Sequence, residues 1–559
     1  MARASDPRPA SSAPPAAAPP TTAAPGPLPP ARGDRSADRT ARRPGRLAAA
    51  VAGVAAAALA LGTGELVAGL DSRLRSPIEA VATEVIDRAP RPVERFAIET
   101  FGSNDKQVLV IGILALSAVF GAVLGIVARR RPLAGPIGMA AFGLLGVLAS
   151  LGTPNATAVA AVPSVAAAVA GALALRLLVP TPAPAPLADG AGDGARPPAP
   201  LTRGGVGSRR AFLGLTAAVT ASAAVAAAGG RALRGRFSAA ESRAGVTLPR
   251  PVAPLPPIPA SAEAGVEGIA PFVTPNRDFY RVDTALIVPQ VRAEDWTLSV
   301  TGMVDEPFEL TYAELSDLDI VEADITMTCI SNQVGGNLVG NARWLGVLTR
   351  DLLDRARPQG RADQLVGRST DGYTCGFPIE AAYDRPCLVA IGMNGEPLPL
   401  RHGFPARLVT PGIYGYVGST KWLTELEVTT FDAFDQYWVP RGYAEQAPIK
   451  TMARIDTPRS FESVAAGRVM VGGVAWAQTR GISAVEIRID DGDFEPAVLA
   501  DEVARETWRQ WRYEWDATPG RHDLTVRAVD GTGGRQIEER AEPLPDGASG
   551  WMSLVVNVA

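Results

Sequence analysis

Five apolar runs constrain this chain more than any other feature. They cover residues 47–70, 108–128, 133–152, 156–179 and 211–228. Crossing the hydrocarbon core of a bilayer takes about 20 such residues in a helix. The runs are rich in Ala, Gly and Leu, as close packing of helices in lipid allows. Four near-uncharged runs between residues 47 and 179 suit buried helices of a water-soluble protein poorly. The expectation is therefore a four-helix transmembrane region over 47–179 and a fifth membrane helix over 211–230, all in contact with a lipid bilayer. Glu65 falls near the outer end of the first run, where an interfacial position is expected.

Basic clusters set the orientation. "RTARRPGR" precedes the first run, "ARRRP" separates the second from the third, and "RGGVGSRR" precedes the fifth. The positive-inside rule puts all three in the cytoplasm, so residues 71–107 and everything after about 230 lie outside. This predicts a multi-pass plasma-membrane protein with an extracytoplasmic C-terminal part. "SRRAFLGL", Ser208 to Leu215, also looks like a twin-arginine export signal, a route taken by proteins that fold around a cofactor first.

Outside the runs, composition divides the rest. Residues 1–46 are mostly Pro, Ala, Ser, Thr and Arg and are read as a disordered cytoplasmic tail. Residues 180–210 read as a linker and 231–264 as a Pro-rich tether. From about 265 to 450 short alternating runs, turns and helical stretches suggest an α+β domain. "DWTLSVTGMVDEPFELTYAEL" reads as strand, turn, strand and helix start, "ARWLGVLTRDLLDRA" as an amphipathic helix, and "PCLVAIGMNGEPLP" as a strand ending in an Asn-Gly turn. From 451 to 559 the pattern is strands only, and a β-sandwich is expected, with Trp511, Tyr513 and Trp515 on one face of a strand. A net charge of −4 gives no sign of a nucleic-acid binder.

The chain has three cysteines, Cys329, Cys375 and Cys387, and two histidines, His402 and His522. That inventory argues against a zinc site. A Cys375–Cys387 bridge, buried thiols, and a Cys329–His402 nucleophile pair all remain open. Cys329 sits in "DITMTCISNQVGGNLVGNARWLGV", after a strand-like run and before a Gly/Asn-rich loop. Gly335, Gly336 and Gly340 there allow close backbone approach.

Several blocks, in order, resemble the sulfite oxidase family of molybdenum-cofactor enzymes: "TPNRDFYRVDTAL", "TMTCISN", "NARWLGVLTRDLL" and "MNGEPLPLRHGFPARLVTPGIYGYVGSTKWLTELEV". The resemblance covers 265–559, a little over half the chain, and leaves the membrane runs out. It implies a molybdopterin-binding domain over 265–450 and an immunoglobulin-like domain over 451–559, through which a homodimer would form. It implies Mo-molybdopterin as cofactor, with Cys329 as the single protein thiolate on the metal. Asn276, Tyr280, Arg281, Asp371, His402, Arg407, Ser419 and Lys421 carry over as cofactor contacts. Soft thiolate donors beside oxo groups suit molybdenum, which fits a site with one cysteine. Cations suit the phosphate that ends the pterin.

The implied reaction is two-electron oxygen-atom transfer between the metal and a small oxo donor or acceptor, with Cys329, Arg343 and Arg281 at the catalytic centre. One departure matters. Where sulfite-oxidising members carry a Cys-x-x-Asn-Arg pattern, this chain reads Cys329-Ile330-Ser331-Asn332-Gln333. A neutral amide in place of an arginine points away from sulfite as natural substrate, with Arg343 and Arg281 left to supply charge. No histidine lies in the apolar runs, so a haem with two His ligands cannot form there and the electron partner is unidentified. A non-catalytic scaffold with the same fold is the alternative.

Overall fold

In a computed structural model of the chain, residues 45–90, 92, 93, 96, 100, 101, 104–152, 156–179 and 209–559 are described. The expected tail and linker lie outside these residues except at their last two positions. All five apolar runs are helical. They form α1 (Arg46–Ala68), α3 (Asp105–Ala128), α4 (Ala134–Leu151), α5 (Val162–Leu178) and α6 (Arg209–Arg234), with a 3-10 turn at Ala158–Ala161 leading into α5. By length and composition all five can cross a membrane. The expected outer loop contains a further helix, α2 (Pro77–Arg88). Its start follows from chemistry: the Ser76 hydroxyl accepts from the Glu79 N–H, and Pro77 takes the first helical position.

α1 packs against α3, α5 and α6 through small residues. A Cβ on Gly53 would lie 1.8 Å from the Gly121 carbonyl oxygen, and one on Gly62 would lie 2.4 Å from that of Ala223. Leu124, Met139, Leu175 and Leu178 are buried between the helices, but many large apolar side chains point outward: Leu116 is 71% exposed and Leu145 64%. Small residues at the contacts and an apolar outer face depart from the order of a water-soluble bundle. Gly125 abuts Ala49, and Gly69 abuts Gly230. α3 thus runs antiparallel to α1, and α6 parallel to it. Arg46, Arg129 to Arg131, Arg209 and Arg210 therefore share one end of the bundle. Glu65 is buried near the other end, hydrogen-bonded by Ser76 and 3.5 Å from Arg234.

The segment 231–264 is laid along the following domain rather than hanging free. Val252 N–H donates to the Ile320 carbonyl at 2.8 Å, Arg243 donates to the Leu398 carbonyl at 2.8 Å, and Ala264 N–H donates to Gln510 at 2.7 Å.

That domain is built on two sheets over a shared core. Its strands are β1 (Thr297–Gly302), β2 (Phe308–Thr311), β3 (Ile320–Thr328), β4 (Val339–Leu348), β5 (Gln364–Ser369), β6 (Thr374–Pro378), β7 (Leu388–Met393), β8 (Glu396–Pro397), β9 (Arg407–Val409), β10 (Ser419–Thr420) and β11 (Leu423–Thr429). One sheet has the order β2-β1-β11-β5-β6; the other runs β10-β9-β7-β4-β3, with β8 on β7. A capping box of Thr311 and Glu314 starts the short helix Tyr312–Ser316. The Asn-Gly turn is present: Met393 pairs with Glu396, and Asn394 and Gly395 both have positive φ, 53° and 80°. That is the type I′ geometry which suits the strand twist.

One expectation fails. Residues 342–348 are not the start of a helix but the end of β4, and only Thr349–Ala356 is helical. Trp344 and Val347 are buried where β4 pairs with both β3 and β7, and that burial outweighs the helical spacing of the leucines.

After residue 450 come β12 (Met452–Thr457), β13 (Ser463–Val464), β14 (Gly467–Trp476), β15 (Ile482–Ile489), β16 (Glu495–Pro496), β17 (Val498–Leu499), β18 (Arg509–Ala517), β19 (Gly520–Asp530) and β20 (Met552–Val558). They make two sheets, β12-β14-β18-β17 and β13-β20-β19-β15-β16, whose facing side chains form one core. Trp511 and Trp515 are buried in it with Tyr513 packed against it, while Arg512 and Glu514 face solvent, as the alternation predicts.

Candidate functional site

Cys329 follows β3 directly. Its N–H donates to the Leu338 carbonyl at 2.9 Å, and its carbonyl accepts from Asn332 N–H at 3.0 Å. The Asn332 side-chain oxygen then accepts from Leu338 N–H at 2.8 Å, which closes the loop over itself. Burial pushes the Cys329 thiol above its ordinary pKa, against the N–H and hydroxyl of Ser331 and the charge of Lys421. All three cysteines are free and buried, so Cys375 and Cys387 are not bridged. Cys387 instead lies 3.1 Å from the Thr410 hydroxyl.

The first sequence block and the later basic block meet at this loop. The Asn276 side chain donates to the Met393 carbonyl at 3.1 Å and to Glu396 at 2.6 Å, and accepts from Asn394 at 2.8 Å. The Asn-Gly turn thus fixes Asn276, whose carbonyl accepts from His402 Nε2 at 2.9 Å. Burial, and then the charge of Arg407, depress the imidazole to about 3, so His402 is neutral and donates from Nε2. Phe279 meets the His402 ring edge-on at 5.7 Å and stacks on Tyr280 at 5.2 Å.

Arg407 is 4% exposed. It donates to the His402 carbonyl at 3.1 Å, approaches Met327 Sδ at 3.5 Å and lies 5.0 Å from the centre of the Trp344 ring. Its Nε has no partner, and among the described residues no carboxylate pairs with it. Burial lowers its pKa to about 10. Lys421 lies alongside. A Cβ built on Gly403, at φ 109°, would sit 3.0 Å from the Lys421 Cβ and 3.1 Å from the Arg407 Cβ, so both flank that glycine. Lys421 donates to Asp283 at 2.7 Å, and Arg281 Nε reaches the same carboxylate at 2.7 Å. Burial would raise the Asp283 pKa, but Lys421, Arg281 and Lys106 outweigh it and hold the carboxyl well below the usual range. Asp371 lies within electrostatic reach of Asp283 and Lys421, and burial pushes its carboxyl up. Ser419 is buried with its hydroxyl unpartnered.

Of the sequence-derived residues, Asn276, Tyr280, Arg281, Cys329, Asp371, His402, Arg407, Ser419 and Lys421 fall in this region. Arg343 does not. It alternates onto the opposite face of β3 and β4 from Met327 and Trp344, where it grips Asp324. The loop glycines make room for protein rather than for a ligand: a Cβ at Gly335 would meet Met552, at Gly336 Asn332, and at Gly340 Phe279. Three residues went unread. Asp283 stands two positions after Arg281. Tyr373, two after Asp371, is half-buried, donates to the Tyr416 carbonyl at 2.7 Å and lies within electrostatic reach of Cys329. Lys106 comes from α3.

One free thiol within electrostatic reach of a lysine, and next to that lysine a buried guanidinium with no carboxylate partner among the described residues, define a class of site: a metal held by a single thiolate, and an anionic cofactor held by cations. The donor set fits molybdopterin. The family described as oxidoreductase molybdopterin binding domain matches residues 285–438. Mitochondrial sulfite oxidase of Homo sapiens is 27% identical over 309 residues, 46% of this chain and 56% of that protein. The oxidoreductase YuiH of Bacillus subtilis (strain 168) is 30% identical over 148 residues, 26% of this chain and 72% of that protein. Nitrate reductase [NADH] 1 of Phaseolus vulgaris is 31% identical over 210 residues, 33% of this chain and 23% of that protein. This chain belongs to the sulfite oxidase family of molybdopterin-dependent oxidoreductases. It spans about half the length of the mammalian sulfite oxidases it matches.

Proposed function

We propose that this protein is a membrane-tethered, extracytoplasmic oxidoreductase that catalyses two-electron oxygen-atom transfer on a small oxo donor or acceptor. The single observation that carries the cofactor reading is Arg407: a buried guanidinium with a partnerless Nε and no carboxylate paired to it among the described residues. Leaving such a charge uncompensated costs several kcal/mol as an order of magnitude, and an anionic cofactor group removes that cost. When bound, molybdopterin supplies the metal centre and the redox chemistry. Cys329 would ligate the metal as a thiolate, which overcomes the burial that otherwise keeps its proton on. Arg407, Ser419 and Lys421 would hold the pterin phosphate, with Asn276, Tyr280, Arg281, Asp371 and His402, whose Nδ1 is then an acceptor, around the rest.

Arg281, paired with Asp283 at the edge of the cluster, is the remaining arginine for an anionic substrate, because Arg343 is engaged elsewhere. Gln333, standing where sulfite-oxidising members carry arginine, argues for a substrate other than sulfite. The relatives' names cover both sulfite and nitrate chemistry.

The membrane reading is supported by the small residues at the helix contacts, by the apolar outer face of the bundle and by basic clusters at the end away from the catalytic domain. The tandem arginines Arg209 and Arg210 open α6, in keeping with a twin-arginine signal. In this reading the C-terminal sandwich is immunoglobulin-like and pairs two copies of the chain, and electrons pass to or from a separate partner.

The test uses the full chain in detergent. Molybdenum near one per chain is expected, with turnover of at least one of sulfite, dimethyl sulfoxide, trimethylamine N-oxide and nitrate by artificial electron carriers. Cys329→Ser should abolish that turnover with pterin still bound. Absence of both molybdenum and pterin would instead favour a non-catalytic scaffold.

A further inference from the structure

Among the described residues, hydrogen bonds join the helical bundle to the catalytic domain at two places. At the end of α2, the Asp87 carboxylate accepts from the Tyr437 hydroxyl at 2.6 Å, and its backbone carbonyl accepts from Arg441 at 3.4 Å. At the start of α3, Lys106 Nζ lies 2.8 Å from the Asp283 carbonyl, 2.6 Å from the Ala285 carbonyl and 3.2 Å from Asp283 Oδ1. An ammonium has three hydrogens, and Lys106 has an acceptor for each.

Asp283 is the residue that Lys106 holds, and it is 6% exposed at the side chain. Its Oδ2 accepts from Lys421 and from Arg281, both at 2.7 Å. Lys421 in turn flanks Arg407 and lies within electrostatic reach of Cys329. A continuous polar chain therefore runs from the first turn of a membrane-type helix to the centre of the site. A helix that served only as an anchor has no need to spend a lysine in this way.

We propose that Lys106, contributed by the helical bundle, is a positioning residue: it fixes the 283–285 turn so that Asp283 presents Lys421 and Arg281 to the bound cofactor and substrate. The site is then complete only when the bundle is docked. This inference rests on the reading of the site as a molybdopterin centre, and it gives the membrane part a role beyond attachment.

The experiment compares full-length wild type, Lys106→Met, Lys106→Arg and Arg73→Gln in detergent. Arg73 is an exposed cation of the same outer segment, paired with Asp71, and its variant controls for loss of a nearby charge. Molybdenum content, the Mo(V) electron paramagnetic resonance signal, and KM and kcat are read with sulfite plus ferricyanide and with dimethyl sulfoxide plus reduced methyl viologen. Lys106→Met should keep its molybdenum, change the Mo(V) signal and raise KM about tenfold, the effect of one charge-assisted hydrogen bond, with kcat within about twofold. Lys106→Arg should recover most of the loss, and Arg73→Gln should match wild type. A Met variant with wild-type KM and signal overturns the proposal, as do Met and Arg variants that behave alike, folded or not. Wild-type protein without molybdenum is a different result: it removes the cofactor reading itself.

Discussion

Asp324 and Arg343 are joined by two parallel hydrogen bonds, 2.9 Å from Nε and 2.8 Å from Nη2, across neighbouring strands. Their face of the sheet also carries Thr326 and Thr328, which bond to Gln478 and Trp508 of the C-terminal domain. Arg407, proposed as a cofactor contact, lies on the other face, against Met327 and Trp344. Arg343→Ala strands a carboxylate that is 5% exposed, and an unpaired buried charge of this kind costs about 1–3 kcal/mol or more. The expected outcome is a lowered Tm with kcat/KM within about twofold of wild type. Thermal melts and steady-state kinetics on one preparation check this. An unchanged Tm with collapsed turnover would return Arg343 to the catalytic centre.

Arg407 gives the opposite pattern. Its charge is buried without an acidic partner among the described residues, so the cofactor-free fold carries a cost that an isosteric apolar side chain removes. Arg407→Met is expected to leave the Tm of cofactor-free protein equal or higher while molybdenum and pterin content fall to background. Elemental analysis beside a melt of the cofactor-free form measures both. A drop in Tm with normal loading would make the arginine a structural residue.

Lys421 sets a pH dependence. Burial lowers its pKa from the ordinary 10.5 to about 8, against the opposing pull of Asp283. As pH rises through about 8 the ammonium is lost in the folded protein, and the attraction for an anionic group at the site goes with it. Between about 8 and 10.5 the unfolded chain binds more protons than the folded one, so this group makes stability rise with pH there. Loading of cofactor-free protein with molybdopterin, read as molybdenum and pterin bound, should therefore weaken above pH 8 while Tm of that form shows no parallel fall from this group. Lys421→Arg, whose guanidinium keeps its proton, should flatten that profile.

How much of this was legible depended on the range of the interaction. The membrane-type helices and the strands were readable because a run of apolar residues or a two-residue alternation is local. The Asn394-Gly395 turn was readable because only a few dipeptides tolerate two positive φ values in succession. α2 was passed over because its 12 residues lie among charges in a stretch read as loop. The 342–348 segment misled because leucines at helical spacing also suit a strand buried on both sides. Within the site, Asn276, His402, Arg407 and Lys421 come from separate stretches of sequence and meet in the fold, but parity decides Arg343: an odd position on β4 faces away from Trp344. Lys106 was beyond reach, since the partner that gives it meaning is 177 residues away in sequence.

The bundle's own packing is testable through two glycines of very different surroundings. A Cβ at Gly53 would lie 1.8 Å from the Gly121 carbonyl oxygen and 3.0 Å from Gly125 N, backbone on both counts, so no rotamer change relieves it. Gly112, on α3, has nothing within 4 Å of where its Cβ would point. Gly53→Leu must push α1 and α3 apart, and overpacking of this sort costs about 1–3 kcal/mol at least. Gly112→Leu adds an apolar side chain to an outward face already lined with Leu and Val, and should be accepted. In detergent, Gly53→Leu is expected to lower the Tm of the bundle and broaden the size-exclusion peak, with Gly112→Leu superimposing on wild type. Because α3 also carries Lys106 at its outer end, the Gly53 variant should show the raised KM of Lys106→Met as well. Equal behaviour of the two glycine variants would mean that the close α1–α3 approach does not hold the bundle together.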